Sequence, residues 1–232
     1  MLEGRRVEQK LPGRQGKLLF LYLVLNRFRP VGRPELVEAL WPNEAPQGAG
    51  SSLSALLSKL RRTLGEGRLE GRSEVRLVLP AEAWVDLESA REAMHRAEAA
   101  AAREDWLSVW GPARVAQHVA VRRFLPGEDL PWAAECRRGL EVLHVRALEL
   151  VAQASLGIGG SELDTAERAA RSLVAHAPYR ESGYRCLMQA LAARENVAEA
   201  LLVYDRLRVL LRDELGAAPS PATQELYRRL LG

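Results

Sequence analysis

The sequence predicts a mainly α protein in two parts: a front segment of three helices and a small β-hairpin, then an all-α region of helical repeats. Three observations predict it. Apolar residues recur at helical spacing three times before residue 65 and then alternate through one short hairpin. From Asp86 onward almost all apolar periodicity is helical. Charge divides at the same place. Residues 1–80 hold 14 Lys+Arg and 8 Asp+Glu, a balance of +6, and the remainder holds 19 and 22, a balance of −3. A basic front third on a mildly acidic remainder points to a polyanion partner for the front alone. The competing account is coding composition, since only Lys10, Lys17 and Lys59 are lysines.

The first helix follows from Leu18, Leu21, Tyr22 and Leu25, and Arg29-Pro30-Val31-Gly32 breaks it. Pro34 suits a first helical position, Leu36, Val37 and Leu40 continue a short second helix, and Trp41-Pro42 ends it. Asn43 to Gly50 is a polar loop. Ser51 to Leu64 is a third helix closed by Gly65. Leu53, Leu57, Leu60 and Leu64 form its buried stripe, and Ser51, Ala55, Ser58 and Arg62 point the opposite way, flanked by Ser54 and Lys59, with Arg61 nearer the edge. A face so small, hydroxylic and basic can enter a major groove; the bland alternative is an ordinary solvated helix face. Arg68-Leu69-Glu70, Gly71-Arg72-Ser73 and Val75 to Leu79 read as two strands around a turn. This order is that of a winged helix-turn-helix, whose third helix would read bases while Arg68, Arg72 or Arg76 of the wing touch backbone.

Helices are expected over Leu87–Arg103, Trp106–Val121, Trp132–Leu156 and Leu163–His176, with Phe124 to Pro131 a loop and Gly157 to Ser161 a break. Ala166, Ala170, Leu173 and Pro178 are followed 34 residues later by Ala200, Tyr204, Leu207 and Arg212, with Leu150 and Tyr184 at the matching first-helix position. That period fits TPR-like helix pairs. The expected domains are therefore 1–80, a winged helix-turn-helix, and 86–232, TPR-like, with the boundary between Pro80 and Asp86.

These residues resemble a known family. Leu18-Leu19-Phe20-Leu21-Tyr22-Leu23, Arg33 to Pro42, and Leu56-Leu57-Ser58-Lys59-Leu60-Arg61-Arg62-Thr63-Leu64-Gly65 are similar to the OmpR-like winged helix. Phe124-Leu125-Pro126-Gly127, Pro131-Trp132, Ala147-Leu148-Glu149, Pro178-Tyr179-Arg180-Glu181 and the stretch Ala200 to Ser220 resemble the bacterial transcriptional activation domain of SARP-type and EmbR-like regulators. The resemblance implies a cytoplasmic transcription regulator, an activator, that binds double-stranded DNA. It implies DNA contacts from Ser54, Ser58, Lys59 and Arg62, a loop 43–50 facing RNA polymerase, and a homodimer on direct repeats. It also implies several strands ahead of the first helix, where only Arg6 to Leu11 remains, so the front reads as clipped or shortened.

No enzyme chemistry is expected. His95, His118, His144 and His176 have no ligand-spaced partner and read as surface or satisfied core residues. Cys136 and Cys186 form neither a metal spacing nor a disulfide framework and read as buried thiols of a reducing compartment. Gly157-Ile158-Gly159-Gly160 lacks the Lys-Ser/Thr of a phosphate loop, and Ser51-Ser52-Leu53-Ser54 has no nucleophile-elbow context. Glu104-Asp105 and Glu128-Asp129 suit helix caps. The start has no apolar signal region and no segment is long enough to span a membrane. No cofactor or metal is expected. Two other functions compete: a TPR-type interaction scaffold without DNA binding, and the output half of a larger ATPase-linked regulator.

Overall fold

A computed structural model describes Leu11 and residues 13–232. Arg6 to Leu11, the stretch left for the front strands that the resemblance implies, lies almost entirely outside the described residues. The chain is mainly helical, as predicted, and divides into two compact units: the first runs to Trp84 and also takes in Phe124–Cys136, and the second comprises Val85–Arg123 and Arg137–Gly232. A single cut between 80 and 86 therefore does not describe these units. The physical reason lies in the segment read as a loop and the helix start after it: Leu130 and Ala133 are buried in the front core, with Phe124, Leu125 and Trp132 packed on it.

In the first unit, α1 (Gly13–Leu25) is followed by β1 (Val31–Gly32), α2 (Arg33–Leu40), α3 (Ala49–Leu64), β2 (Leu69–Glu70) and β3 (Glu74–Leu77). The strands form one antiparallel sheet in the order β1-β3-β2, with Val31 opposite Val75 and Leu69 opposite Leu77. The hairpin was expected; β1 was read only as a helix breaker. Its Val31 is fully buried, which is what a two-residue strand needs to be held. Leu18, Leu19 and Leu23 of α1, Leu36 and Leu40 of α2 and the α3 leucines fill the core against Val75 and Leu77. A brace sets the α1–α2 corner: Tyr22 Oη donates to Glu35 at 2.6 Å, and Arg29 grips the same carboxylate with both terminal nitrogens. Arg29 holds the Glu35 carboxyl below its usual range, and burial beside that anion pushes the Tyr22 phenol up to about 12.

The second unit holds α4 (Asp86–Ala101), α5 (Trp106–Ala120), most of α6 (Pro131–Ile158), a 3₁₀ turn (Gly160–Glu162), α7 (Leu163–His176), α8 (Glu181–Ala193), α9 (Val197–Leu215) and α10 (Pro221–Leu231). The 34-residue repeat falls where it was read: Ala166, Ala170, Leu173, Ala200 and Leu207 are buried, as are Leu150, Tyr184 and Tyr204, and Tyr204 stacks on Tyr227 at 4.0 Å. Small residues at these positions let neighbouring helices approach. Asp105 caps α5 through the Ser108 N–H at 3.2 Å; Glu128, within the first unit, pairs with Arg14.

Three further expectations change. Gly157 does not break α6, which continues to Ile158; a Cβ at Gly157 would lie 2.2 Å from Trp106 Cδ1, so the glycine is there to admit that ring. Gly157→Ala should therefore destabilise the second unit by about 1–3 kcal/mol through overpacking; an unchanged urea midpoint would show that Trp106 moves aside freely. Among the described residues His144 is buried with Nδ1 unpartnered and its ring 4.9 Å from that of His176, so there it is not a satisfied core residue. Burial and the neighbouring ring push it down toward the neutral form. Cys186 is buried, with its thiol pushed up to about 12 by burial, whereas Cys136 is only half-buried.

The ending is tied down by one carboxylate. Gly216 closes α9 in the left-handed region at φ +62°, and Pro221 opens α10 after Ser220. Glu181 of α8 accepts from the Ser220 N–H at 2.9 Å, the Ser220 hydroxyl at 2.7 Å and the Thr223 hydroxyl at 2.6 Å. Burial alone would raise its pKa, but these bonds and the charge of Arg185 outweigh it and hold the carboxyl below its usual value. The resulting stability is fully present above the unfolded value of about 4.3 and is lost as pH falls through the folded value. Glu181→Gln should cost about 1–3 kcal/mol near neutrality, and the gap to the parent should close as pH drops below about 4. A gap that stays constant with pH would show that the charge is irrelevant.

Among the described residues no helix is long and apolar enough to cross a membrane, and no group of three or more His, Cys, Asp or Glu could hold a metal ion.

Candidate nucleic-acid interface

The candidate site is built on α3. Its buried stripe, Leu53, Leu57, Leu60 and Leu64, locks the helix rotation against α1 and α2. The opposite face is therefore fixed in solvent, and Ser51, Ser54, Ala55, Ser58, Lys59 and Arg62 are all exposed on it. No acidic residue lies between Glu44 and Glu66, so the whole helix carries only positive charge. Neither Lys59 nor Arg62 has a side-chain hydrogen bond or ion pair among the described residues. At the N-terminal end, Gly48 takes the left-handed region at φ +76°, and the N–H groups of Ser51 and Ser52 both donate to its carbonyl.

Two of the predicted side chains are already engaged. Ser54 Oγ donates to the Gly50 carbonyl at 2.8 Å and accepts from Arg33 Nη2 at 2.6 Å. Arg61 is turned away from the exposed face: its Nε donates to the Leu69 carbonyl at 3.3 Å and its Nη2 to the Gly71 carbonyl at 2.5 Å. It holds the hairpin against α3, which makes it a positioning residue in this geometry. Arg33 was missed by sequence reasoning. It joins the N-terminal turn of α3 by its side chain and the hairpin turn by its backbone N–H, 3.2 Å from the Ser73 carbonyl. Its contacts are all distant in the chain, so no local sequence signal marked it.

The hairpin needs Gly71, whose φ is +81° and whose added Cβ would lie 1.9 Å from the Glu74 carbonyl oxygen. Val75 and Leu77 point into the core, so Arg76 between them points out; Arg72 is exposed at the tip and Arg68 is half-buried. The wing is less basic than its arginines suggest. Residues 66–76 contain Arg68, Arg72 and Arg76 but also Glu66, Glu70 and Glu74, and Glu70 sits opposite Arg76 in the register. Net positive charge thus resides on α3, not on the hairpin. The loop 43–50 is exposed except for half-buried Ala49 and turns at Pro46, whose carbonyl accepts the Ala49 N–H at 2.9 Å.

Residues 85–231 match the family model of the bacterial transcriptional activator domain. The regulatory protein AfsR of Streptomyces coelicolor is 34% identical over 94% of this chain, which spans 22% of AfsR. The transcriptional regulatory protein MoaR1 of Mycobacterium bovis is 27% identical over 99% of this chain and 75% of its own length. Among solved structures, Mycobacterium tuberculosis EmbR, in complex with a low-affinity phosphopeptide, is similar with a TM-score of 0.80 and 27% identity, over 94% of this chain and 58% of that one.

Proposed function

The chain belongs to the bacterial transcriptional activator domain family, and from that premise we propose that it is a DNA-binding transcription regulator, an activator, which reads promoter DNA with α3. One observation carries the reading: an acid-free helix with its leucines buried and Ser51, Ser58, Lys59 and Arg62 held outward. Small residues at the N-terminal half let the backbone approach base edges, and the cations nearer the C-terminal half meet phosphate or guanine. Arg33 and Ser54 brace the helix start, Arg61 sets the wing, and Arg72 and Arg76 reach neighbouring phosphates, with Arg68 at the wing's base. The exposed loop 43–50 is the surface offered to RNA polymerase, and two copies on direct repeats are the assembly expected on DNA. The names of AfsR and MoaR1 support a regulatory role rather than catalysis.

Selection of preferred duplexes from a random pool, followed by footprinting, tests the proposal. A protected preferred site should bind at least about a thousandfold more tightly than random duplex, and its affinity should fall linearly in log–log terms with salt. Equal binding to all duplexes would leave only charge attraction and overturn sequence-specific reading.

A further inference from the structure

We propose that a small cleft in the second unit, between α5 and α7, is a receptor for an oxyanion, a carboxylate or phosphate, carried by a partner polypeptide. The cleft is lined by Arg114 and Gln117 of α5, Thr165, Arg168 and Ala169 of α7, and Val151 of α6. Its volume is about 110 Å³, small against the roughly 300–1,000 Å³ of sites that engulf drug-sized ligands. It suits one anionic group at the end of a side chain or peptide.

The charge in this cleft is uncompensated. The acids nearest to it in sequence all have other partners: Glu162 accepts from Trp110 Nε1 at 3.1 Å, Asp164 pairs with Arg194 at 2.6 Å, and Glu167 pairs with Arg171 at 2.9 Å and Arg194 at 2.7 Å. Neither Arg114 nor Arg168 has an ion pair among the described residues. Both guanidiniums are nevertheless steadied. That of Arg114 lies over the Trp110 ring, 5.3 Å from its centroid, and Arg168 Nη2 donates to Thr165 Oγ1 at 3.2 Å. Thr165 keeps its hydroxyl proton to donate, and the Gln117 amide adds donors from the facing helix. Two planar forks, a hydroxyl and an amide lining one cleft form a donor set suited to a bidentate oxyanion. The second unit holds 19 Arg and 18 Asp+Glu, a balance of only +1 that offers a nucleic-acid backbone little net attraction, so the ligand is a local anion of a protein rather than a second stretch of DNA.

Fluorescence anisotropy on the full chain at low salt tests this with three labelled short peptides of one sequence: ending in Asp-Glu, ending in amidated Asn-Gln, and carrying a phosphothreonine with the amidated end. The expected result is binding of one or both acidic peptides and not of the neutral one. The double substitution Arg114→Gln with Arg168→Gln should weaken it about tenfold or more, equivalent to about 1.4 kcal/mol, while Arg62→Gln leaves it unchanged. Binding of only the phosphopeptide, with competition by inorganic phosphate, assigns phosphate as the source; binding of only the Asp-Glu peptide assigns carboxylate. Equal binding of the neutral peptide, binding of none, retention of affinity in the double variant, or loss in Arg62→Gln would each overturn the assignment. Both arginines are exposed, so the variants should fold, and an unchanged melting curve and duplex affinity in the double variant separate this test from that of DNA reading.

Discussion

Arg62→Ala should bind the preferred duplex about 5- to 150-fold more weakly than the parent, the equivalent of losing about 1–3 kcal/mol from one bidentate contact. The melting curve of the front unit should not move, because Arg62 is exposed on the face opposite the buried leucines and bonds to nothing among the described residues. The pattern of the loss identifies the contact. If Arg62 reads a base, affinity for the preferred site falls much more than affinity for random duplex, and specificity relaxes at one position. If it meets phosphate, both fall alike and the salt slope drops by about one. Arg61→Ala, two carbonyl bonds to the hairpin removed, should behave differently: it frees the wing, lowers stability as well as affinity, and leaves the preferred sequence unchanged. Unchanged duplex binding by Arg62→Ala would remove this face of α3 from the interface.

The contrast between neighbouring Arg61 and Arg62 shows where sequence reasoning reached and where it stopped. Helical periodicity alone oriented α3, because four leucines at i, i+4, i+7 and i+11 leave only one way for it to pack. Periodicity could also rank Arg61 nearer the edge, but not tell that two hairpin carbonyls lie within its reach. The same limit hid Arg33, which acts on residues 21 and 40 positions away. Strand β1 escaped because two residues after a proline carry no alternation to detect; it exists only through its pairing with β3. Gly157 looked like a helix breaker because glycine lowers helix propensity, yet the position is decided by the Trp106 ring pressed on it. His144 and His176 are 32 residues apart in the chain and gave no local sign that their rings meet. In the second unit, by contrast, the 34-residue period was legible because each helix pair repeats the same small and large positions in a core made of like neighbours.

The front unit should depend on a residue far from it in the chain: Trp132→Ala should destabilise it by about 3 kcal/mol, the low end for truncating a large aromatic, because the indole is half-buried. The indole performs three tasks there. Its Nε1–H donates to the Ala39 carbonyl at 2.9 Å, satisfying one of the last carbonyls of α2, which has no partner within its own helix. Its ring meets Tyr22 edge-on at 5.3 Å, the tyrosine that holds Glu35 at the α1–α2 corner. It also meets Phe124 edge-on at 6.1 Å, closing residues 124–136 over buried Leu130 and Ala133. Trp132→Phe keeps most of the apolar contact but leaves the Ala39 carbonyl bare, at a cost of about 1–3 kcal/mol. Because α2 supports α3, amide exchange over residues 37–40 should accelerate in both variants, and duplex affinity should fall at temperatures where the second unit is still folded. The same packing predicts that a fragment ending at Trp84 folds less stably than one that keeps residues 124–136 in place. Full stability of Trp132→Ala, with unchanged exchange in α2, would show that the segment rests on the front unit without supporting it.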